Sequence, residues 1–98
     1  MFKFGPRMIS LYIQRWLALR WLRKLIKYYE FIPQSKNEFK GSLTGSNYLK
    51  RTLLRIGYTL REGKTRNGLN METLIYSDLE ISVDLWYMNG TVEVYIDY

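Results

Sequence analysis

The strongest constraint in this chain is an unbroken alternation of apolar and polar residues on either side of an Asn-Gly pair. Leu79, Ile81, Val83, Leu85 and Tyr87 alternate with Glu80, Ser82, Asp84 and Trp86. After Asn89-Gly90, Val92, Val94, Ile96 and Tyr98 alternate with Thr91, Glu93, Tyr95 and Asp97. Successive side chains of a strand point to opposite faces, so a period of two describes strands with one buried face. Asn-Gly is the favoured pair for a type I′ turn, whose two central residues both need positive φ. A two-residue turn there sets the register: Met88 opposes Thr91, Trp86 opposes Glu93, Leu85 opposes Val94, and Asp84 opposes Tyr95. Something apolar must then cover the inner row.

That cover lies upstream. From Pro6 to about Phe31 the pattern predicts a helix, with Pro6 in the first turn and Pro33 closing it. At 100° per residue Met8, Leu11, Ala18, Leu19, Leu22, Leu25, Ile26 and Tyr29 share one arc, which Arg15 interrupts. Arg20, Arg23, Lys24 and Lys27 lie on the opposite arc with Trp16, beside Ile9, Ile13 and Phe31. Gln34 to Asn47 (QSKNEFKGSLTGSN) reads as a linker rich in Gly, Ser and Asn. Ser46 or Asn47 caps a second helix that runs to about Ile56 and is stopped by Gly57. Leu49, Thr52, Leu53 and Ile56 face one way on it, and Lys50, Arg51 and Arg55 the other. Tyr58 to Glu62 and Leu69 to Tyr76 read as strands around a basic turn, Gly63 to Gly68.

With 98 residues there is material for a single small domain. The expected fold is α+β: two N-terminal helices, then a mostly antiparallel meander of about four strands ending in a type I′ hairpin. The inner face of the hairpin packs on the helices.

The charge is partitioned sharply. All 15 Lys and Arg lie between Lys3 and Arg66, a stretch with only Glu30, Glu38 and Glu62 as acids. From Asn67 onward there is no basic residue, and Glu72, Asp78, Glu80, Asp84, Glu93 and Asp97 are acidic. The chain is therefore a basic helical part, about 1–57, followed by an acidic β part, about 58–98. Such asymmetry points to an anionic partner, to docking of the halves, or to both.

Cysteine and histidine are both absent. Disulfides, thiolate metal sites and cysteine nucleophiles are excluded, together with the commonest general base and metal ligand. Gly41 to Asn47 precedes a helix but lacks the lysine of a phosphate-binding Walker loop. Zinc spacing, an EF-hand loop and a dinucleotide fingerprint are also missing. A non-catalytic protein without a cofactor is expected.

Nucleic acid, RNA or DNA, is the leading expectation for a partner. Trp16, Arg20, Arg23, Lys24 and Lys27 on the first helix combine fixed positive charge with a ring that can stack on a base. Lys50, Arg51 and Arg55 on the second helix extend the patch, with Lys64 and Arg66 at the turn. The alternative is a protein partner on the outward row of the hairpin, where Asp84, Trp86, Glu93 and Tyr95 mix carboxylates with aromatic anchors. Carboxylates of that row, Glu80, Asp84, Glu93 and Asp97, are also the only candidates for a divalent cation, a lesser reading. A further alternative is peripheral contact of the first helix with a membrane. Its longest uncharged run, Met8 to Gln14, is far short of the roughly 20 residues that span a bilayer. The same arginines break any secretory signal, and an intracellular location is expected. The helix shares its Arg-rich, acid-free character with transit peptides but has little serine.

Overall fold

The computed structural model describes residues 4–62 and 70–98, with side chains over residues 10–61 and 70–98. Helix α1 spans Phe4–Tyr28 and helix α2 spans Leu43–Arg55. The strands are β1 (Ile32–Pro33), β2 (Glu38–Gly41), β3 (Thr59–Glu62), β4 (Asn70–Tyr76), β5 (Ile81–Tyr87) and β6 (Val92–Asp97). They form one antiparallel sheet in the order β1-β2-β6-β5-β4-β3.

This corrects the expected arrangement in two respects. The fold is α+β, but the helices do not stand together ahead of the strands, and the sheet has six strands rather than about four. The difference lies in the segment read as a linker. Its first residues form a turn, in which the Gln34 N–H donates to the Glu38 carbonyl at 2.7 Å. Its middle is β2, which pairs with β6 so that Phe39 meets Val94. Pro33 is tolerated because β1 is a short edge strand.

The end of α1 explains why the chain turns back. Glu30 takes a left-handed conformation at φ 67°. Its N–H donates to the Lys27 carbonyl at 2.9 Å, and the Phe31 N–H reaches the Ile26 carbonyl at 3.3 Å. These are the two bonds of a Schellman terminus, which also brings the residue after the left-handed one against the last buried turn. Phe31 is accordingly 3% exposed. It lies across Gly41, where a β-carbon would meet the Phe31 ring at 2.5 Å.

Helix α2 starts at Ser42, not at Ser46 or Asn47: the Ser42 Oγ accepts the Gly45 N–H at 2.9 Å. Ser46 is buried inside the helix and donates to the Leu43 carbonyl at 2.7 Å. At the other end Gly57 stops the helix at φ 117°, with Tyr58 N–H to Leu53 carbonyl at 2.9 Å. That is the same terminus as in α1, here with the expected glycine.

The terminal hairpin has the expected register, Trp86 against Glu93, Leu85 against Val94 and Asp84 against Tyr95. Met88 N–H donates to the Thr91 carbonyl at 2.8 Å. The turn is not type I′, however, because Gly90 has positive φ, at 75°, and Asn89 does not. Strand β5 begins at Ile81. Leu79 is buried in a 3-10 turn, Ser77–Leu79, and left-handed Glu80 leads from it into the strand.

Both helices lie on one face of the sheet. Leu19, Leu22 and Ile26 of α1 and Leu49 and Leu53 of α2 share a core with Phe39, Leu74, Val83, Leu85, Val92 and Val94. Leu11, placed on the same arc by periodicity, is 48% exposed. Upstream of Leu19 no described side chain of α1 is buried. Helix α1, about 37 Å long at 1.5 Å per residue, therefore overhangs the slab. The radius of gyration, 14.7 Å, exceeds the roughly 12.6 Å of a compact chain this long, and the extents are 54 × 25 × 24 Å.

Gly41→Ala tests the seat of Phe31 directly. The added methyl has no room, so the variant should lose about 1–3 kcal/mol, the usual range for overpacking. A chemical denaturation midpoint equal to wild type would show that the segment is not the packed strand described.

Candidate nucleic-acid interface

The sequence places cations on both helices, and packing decides which of them remain available. Lys50 is committed to the protein itself. Its Nζ lies 3.1 Å from Glu72 Oε1, which also accepts the Tyr87 hydroxyl. Register explains the need. Glu72 pairs with Leu85 on the inward row of the sheet, where a carboxylate requires partners. Burial pushes the Glu72 carboxyl upward, but hydrogen bonds from Tyr87 and Lys50 and the Lys50 charge outweigh it and hold the group below its ordinary value. Burial and the same carboxylate push the Tyr87 hydroxyl up.

Arg23 is committed as well. Its Nη2 donates to Asn37 Oδ1 at 3.0 Å and to the Tyr98 hydroxyl at 3.2 Å, with the guanidinium 5.6 Å from the Tyr98 ring centre. Arg15 lies 5.8 Å from the same centre and reaches the Glu80 carbonyl at 3.5 Å. This is why an arginine interrupts the apolar arc: Arg15 and Arg23, two turns apart, grip Tyr98 and hold α1 to the end of β6. Hydrogen bonds from Asn37 and Arg23, with the nearby charge of Lys36, hold the Tyr98 hydroxyl below its ordinary value.

The remaining candidates are exposed. Arg20, Lys24 and Lys27 line the outward side of α1, with the Arg20 guanidinium 5.5 Å from the Trp16 ring centre. Arg51 and Arg55 lie on the outward side of α2. Lys64 and Arg66 lie outside the described residues.

Two aromatic residues join these cations: Tyr28, which the sequence places in a packing cluster with Tyr29 and Phe31 rather than a base-stacking platform, and Tyr48, which it does not single out. Tyr29 stacks on Tyr48 at 5.9 Å and its hydroxyl is 2.7 Å from Thr52 Oγ1, which fixes α1 beside α2. Tyr28, edge-on to Tyr29 at 5.2 Å, is 75% exposed, and Tyr48 is 53% exposed. With Glu30, Ser42, Thr44 and Gly45 the three tyrosines line a hollow of about 340 Å³. The start of α2 opens into it. Lys24 lies one turn before Tyr28, and Arg51 and Arg55 lie one and two turns after Tyr48. The run Tyr28, Tyr29, Phe31 suggests packing, and Tyr29 and Phe31 do pack. The exposure of Tyr28 could have been anticipated only from its angular position beside Lys24, at the edge of the basic arc.

The acidic-aromatic row is on the opposite surface of the slab. Asp84, Trp86, Glu93 and Tyr95 alternate with the buried row of β5 and β6, on the face of the sheet away from the helices. Asp84 accepts from Thr73 at 2.8 Å and Glu93 from Tyr95 at 2.7 Å. The Glu93 carboxylate pushes the Tyr95 hydroxyl up to about 12, aided by burial and by Glu38. Among the described residues no three acidic side chains come together as a metal site, and no helix is long and apolar enough to cross a membrane.

Comparison of the chain with protein-family models, characterised proteins and solved structures finds no match. The functional reading therefore rests on this geometry.

The Lys50–Glu72–Tyr87 cluster makes stability pH-dependent. Because the folded Glu72 is the stronger acid, its contribution is present above the unfolded carboxyl value and is lost as pH falls through the folded one. Thermal melting from pH 7 to pH 3 should show a steeper loss in wild type than in Glu72→Gln. Parallel curves would remove Glu72 from that role.

Proposed function

We propose that this protein binds single-stranded nucleic acid across its helical layer. The observation that carries the reading is the joining of α1 to α2 through Tyr29, Tyr48 and Thr52. That contact brings together two exposed tyrosines, Tyr28 one turn after Lys24 and Tyr48 one and two turns before Arg51 and Arg55. Stacking on an exposed ring needs unpaired bases and tolerates any sequence, while cations on either side track the backbone. The start of α2 adds the positive end of a helix dipole beside the rings. Base readout through a groove is not required, because stacking and phosphate contacts need only rings and charges. A nucleic-acid partner goes with a location inside the cell.

Such binding differs from a general attraction of a basic protein for polyanions in requiring rings as well as charge. Labelled single-stranded and duplex oligonucleotides of equal length should be compared by fluorescence anisotropy over a salt series. Single strands should bind more tightly. In Lys24→Gln/Arg51→Gln/Arg55→Gln the slope of log affinity against log salt should fall by about 0.7 for each phosphate no longer neutralised. Tyr28→Ala and Tyr48→Ala should each weaken single-strand binding by about 1–3 kcal/mol, with little change in slope. Equal affinity for duplex, or tyrosine variants that bind like wild type, would overturn the stacking role. An unchanged slope in the triple variant would overturn the interface.

A further inference from the structure

The overhanging half of α1 presents a different surface from the interface just described. Tyr12 is 77% exposed, Trp16 56%, Ile13 49%, Leu17 49% and Trp21 43%. A helix packed on a globular core does not leave large apolar side chains uncovered on so much of its circumference without a partner. A hollow of about 300 Å³ runs between the helix and the 3-10 turn and carries the acids Asp78 and Glu80 beside Leu11. Ile13 and Trp16 are exposed on the outward side, Leu17 and Trp21 border an apolar hollow of about 400 Å³ with Ile56, Tyr58 and Tyr76, and residues 1–29 contain no acid.

We infer that this outward, upstream side of α1 seats in the surface of an anionic lipid bilayer. The chemistry is graded along the helix axis. Upstream lies the uncharged run Met8 to Gln14, about 10 Å of helix at 1.5 Å per residue. Next come Trp16 and Trp21, rings that prefer the boundary between acyl chain and headgroup. Arg20, stacked on Trp16, and then Lys24 and Lys27 follow at the level of the lipid phosphates. An oblique helix, seated shallowly enough for Lys3 and Arg7 upstream of the run to reach the headgroups, satisfies all three zones together. A second copy of the chain fits less well, because pairing two such helices brings together arginines with no acid between them.

The apolar part of this surface is separate from the tyrosine-lined hollow, and the two proposals can fail separately. The experiment is sedimentation with vesicles of phosphatidylcholine alone or with phosphatidylserine added. Wild type should bind the anionic vesicles preferentially, with affinity falling as salt rises, because each basic residue near the surface adds about fivefold. Ile13→Ser/Leu17→Ser removes two exposed aliphatic side chains, so the fold should hold, as thermal melting will show. That variant should lose at least about tenfold in vesicle binding and bind oligonucleotides like wild type. In a Trp86→Phe background, lipids brominated near the headgroup should quench Trp16 and Trp21. Failure to bind anionic vesicles, or retention of binding in the serine variant, would overturn the proposal. Concentration-dependent self-association without lipid, abolished by the same two substitutions, would assign the surface to a second copy instead.

Discussion

Phe31 lying across Gly41 is the contact from which the rest of the architecture follows. A left-handed residue after α1 turns the chain through a sharp angle, and the ring it swings inward needs a flat backbone beneath it. Gly41 supplies that surface at the end of β2. With the ring in place, β2 lies flat enough to hydrogen-bond β6, and Ser42 follows at once as the cap of α2. The two helices are thereby set side by side on the same face of the sheet. Glutamate in a left-handed conformation costs about 1–2 kcal/mol relative to an unstrained one. Burial of a phenylalanine, worth about 1.5–3 kcal/mol, offsets it.

How much of this could be read from residues alone depended on how local the signal was. The terminal hairpin was legible because a sustained alternation and a two-residue turn permit only one register. Asn89 was misleading in detail, since glycine by itself meets the conformational demand. Gly57 was legible as a helix stop, whereas Glu30 was not, because its left-handed conformation comes from the burial of Phe31 and not from any preference of glutamate. Strand β2 was hidden for a related reason. Only Phe39 in QSKNEFKG is apolar, and one apolar residue carries no period. Its partner, Val94, lies near the far end of the sequence. Lys50 looked like any surface lysine, because its role depends on the pairing of β4 with β5, which no local signal sets. Glu72 falls opposite Leu85, on the inward row, and an inward carboxylate requires a cation and a hydroxyl. Of the candidate site, the cations were legible as charges on helix faces. Their grouping with Tyr28 and Tyr48 was not, because it depends on how α1 meets α2.

The charge partition takes an arrangement different from mutual docking of two oppositely charged halves. The acidic-aromatic row and the helices occupy opposite faces of one slab, so most of the basic surface stays unneutralised by the acids of the hairpin. Beyond the shared core and the pairing of β2 with β6, the side-chain contacts of the cations with the β part are few among the described residues: Lys50 with Glu72, Arg15 and Arg23 around Tyr98, and Arg15 on the Glu80 carbonyl. These anchor the helices without consuming Lys24, Lys27, Arg51 and Arg55. The charged surface that remains is a product of the packing, since the buried side of each helix selects which cations are spent.

The pairing of β2 with β6 also governs the time course of folding. Hairpins such as β5–β6 close short loops and form early, whereas β2 must find β6 across α2 and the strands β3, β4 and β5. Contacts so distant along a chain pay their loop-closure entropy before any stabilisation returns, and they slow folding. Until β6 has formed, Phe31 and Phe39 have no completed sheet to rest on. A nascent chain thus exposes two phenylalanines beside a cationic helix throughout synthesis of its middle portion, which makes the interval before β6 emerges the period of greatest exposure to misassociation.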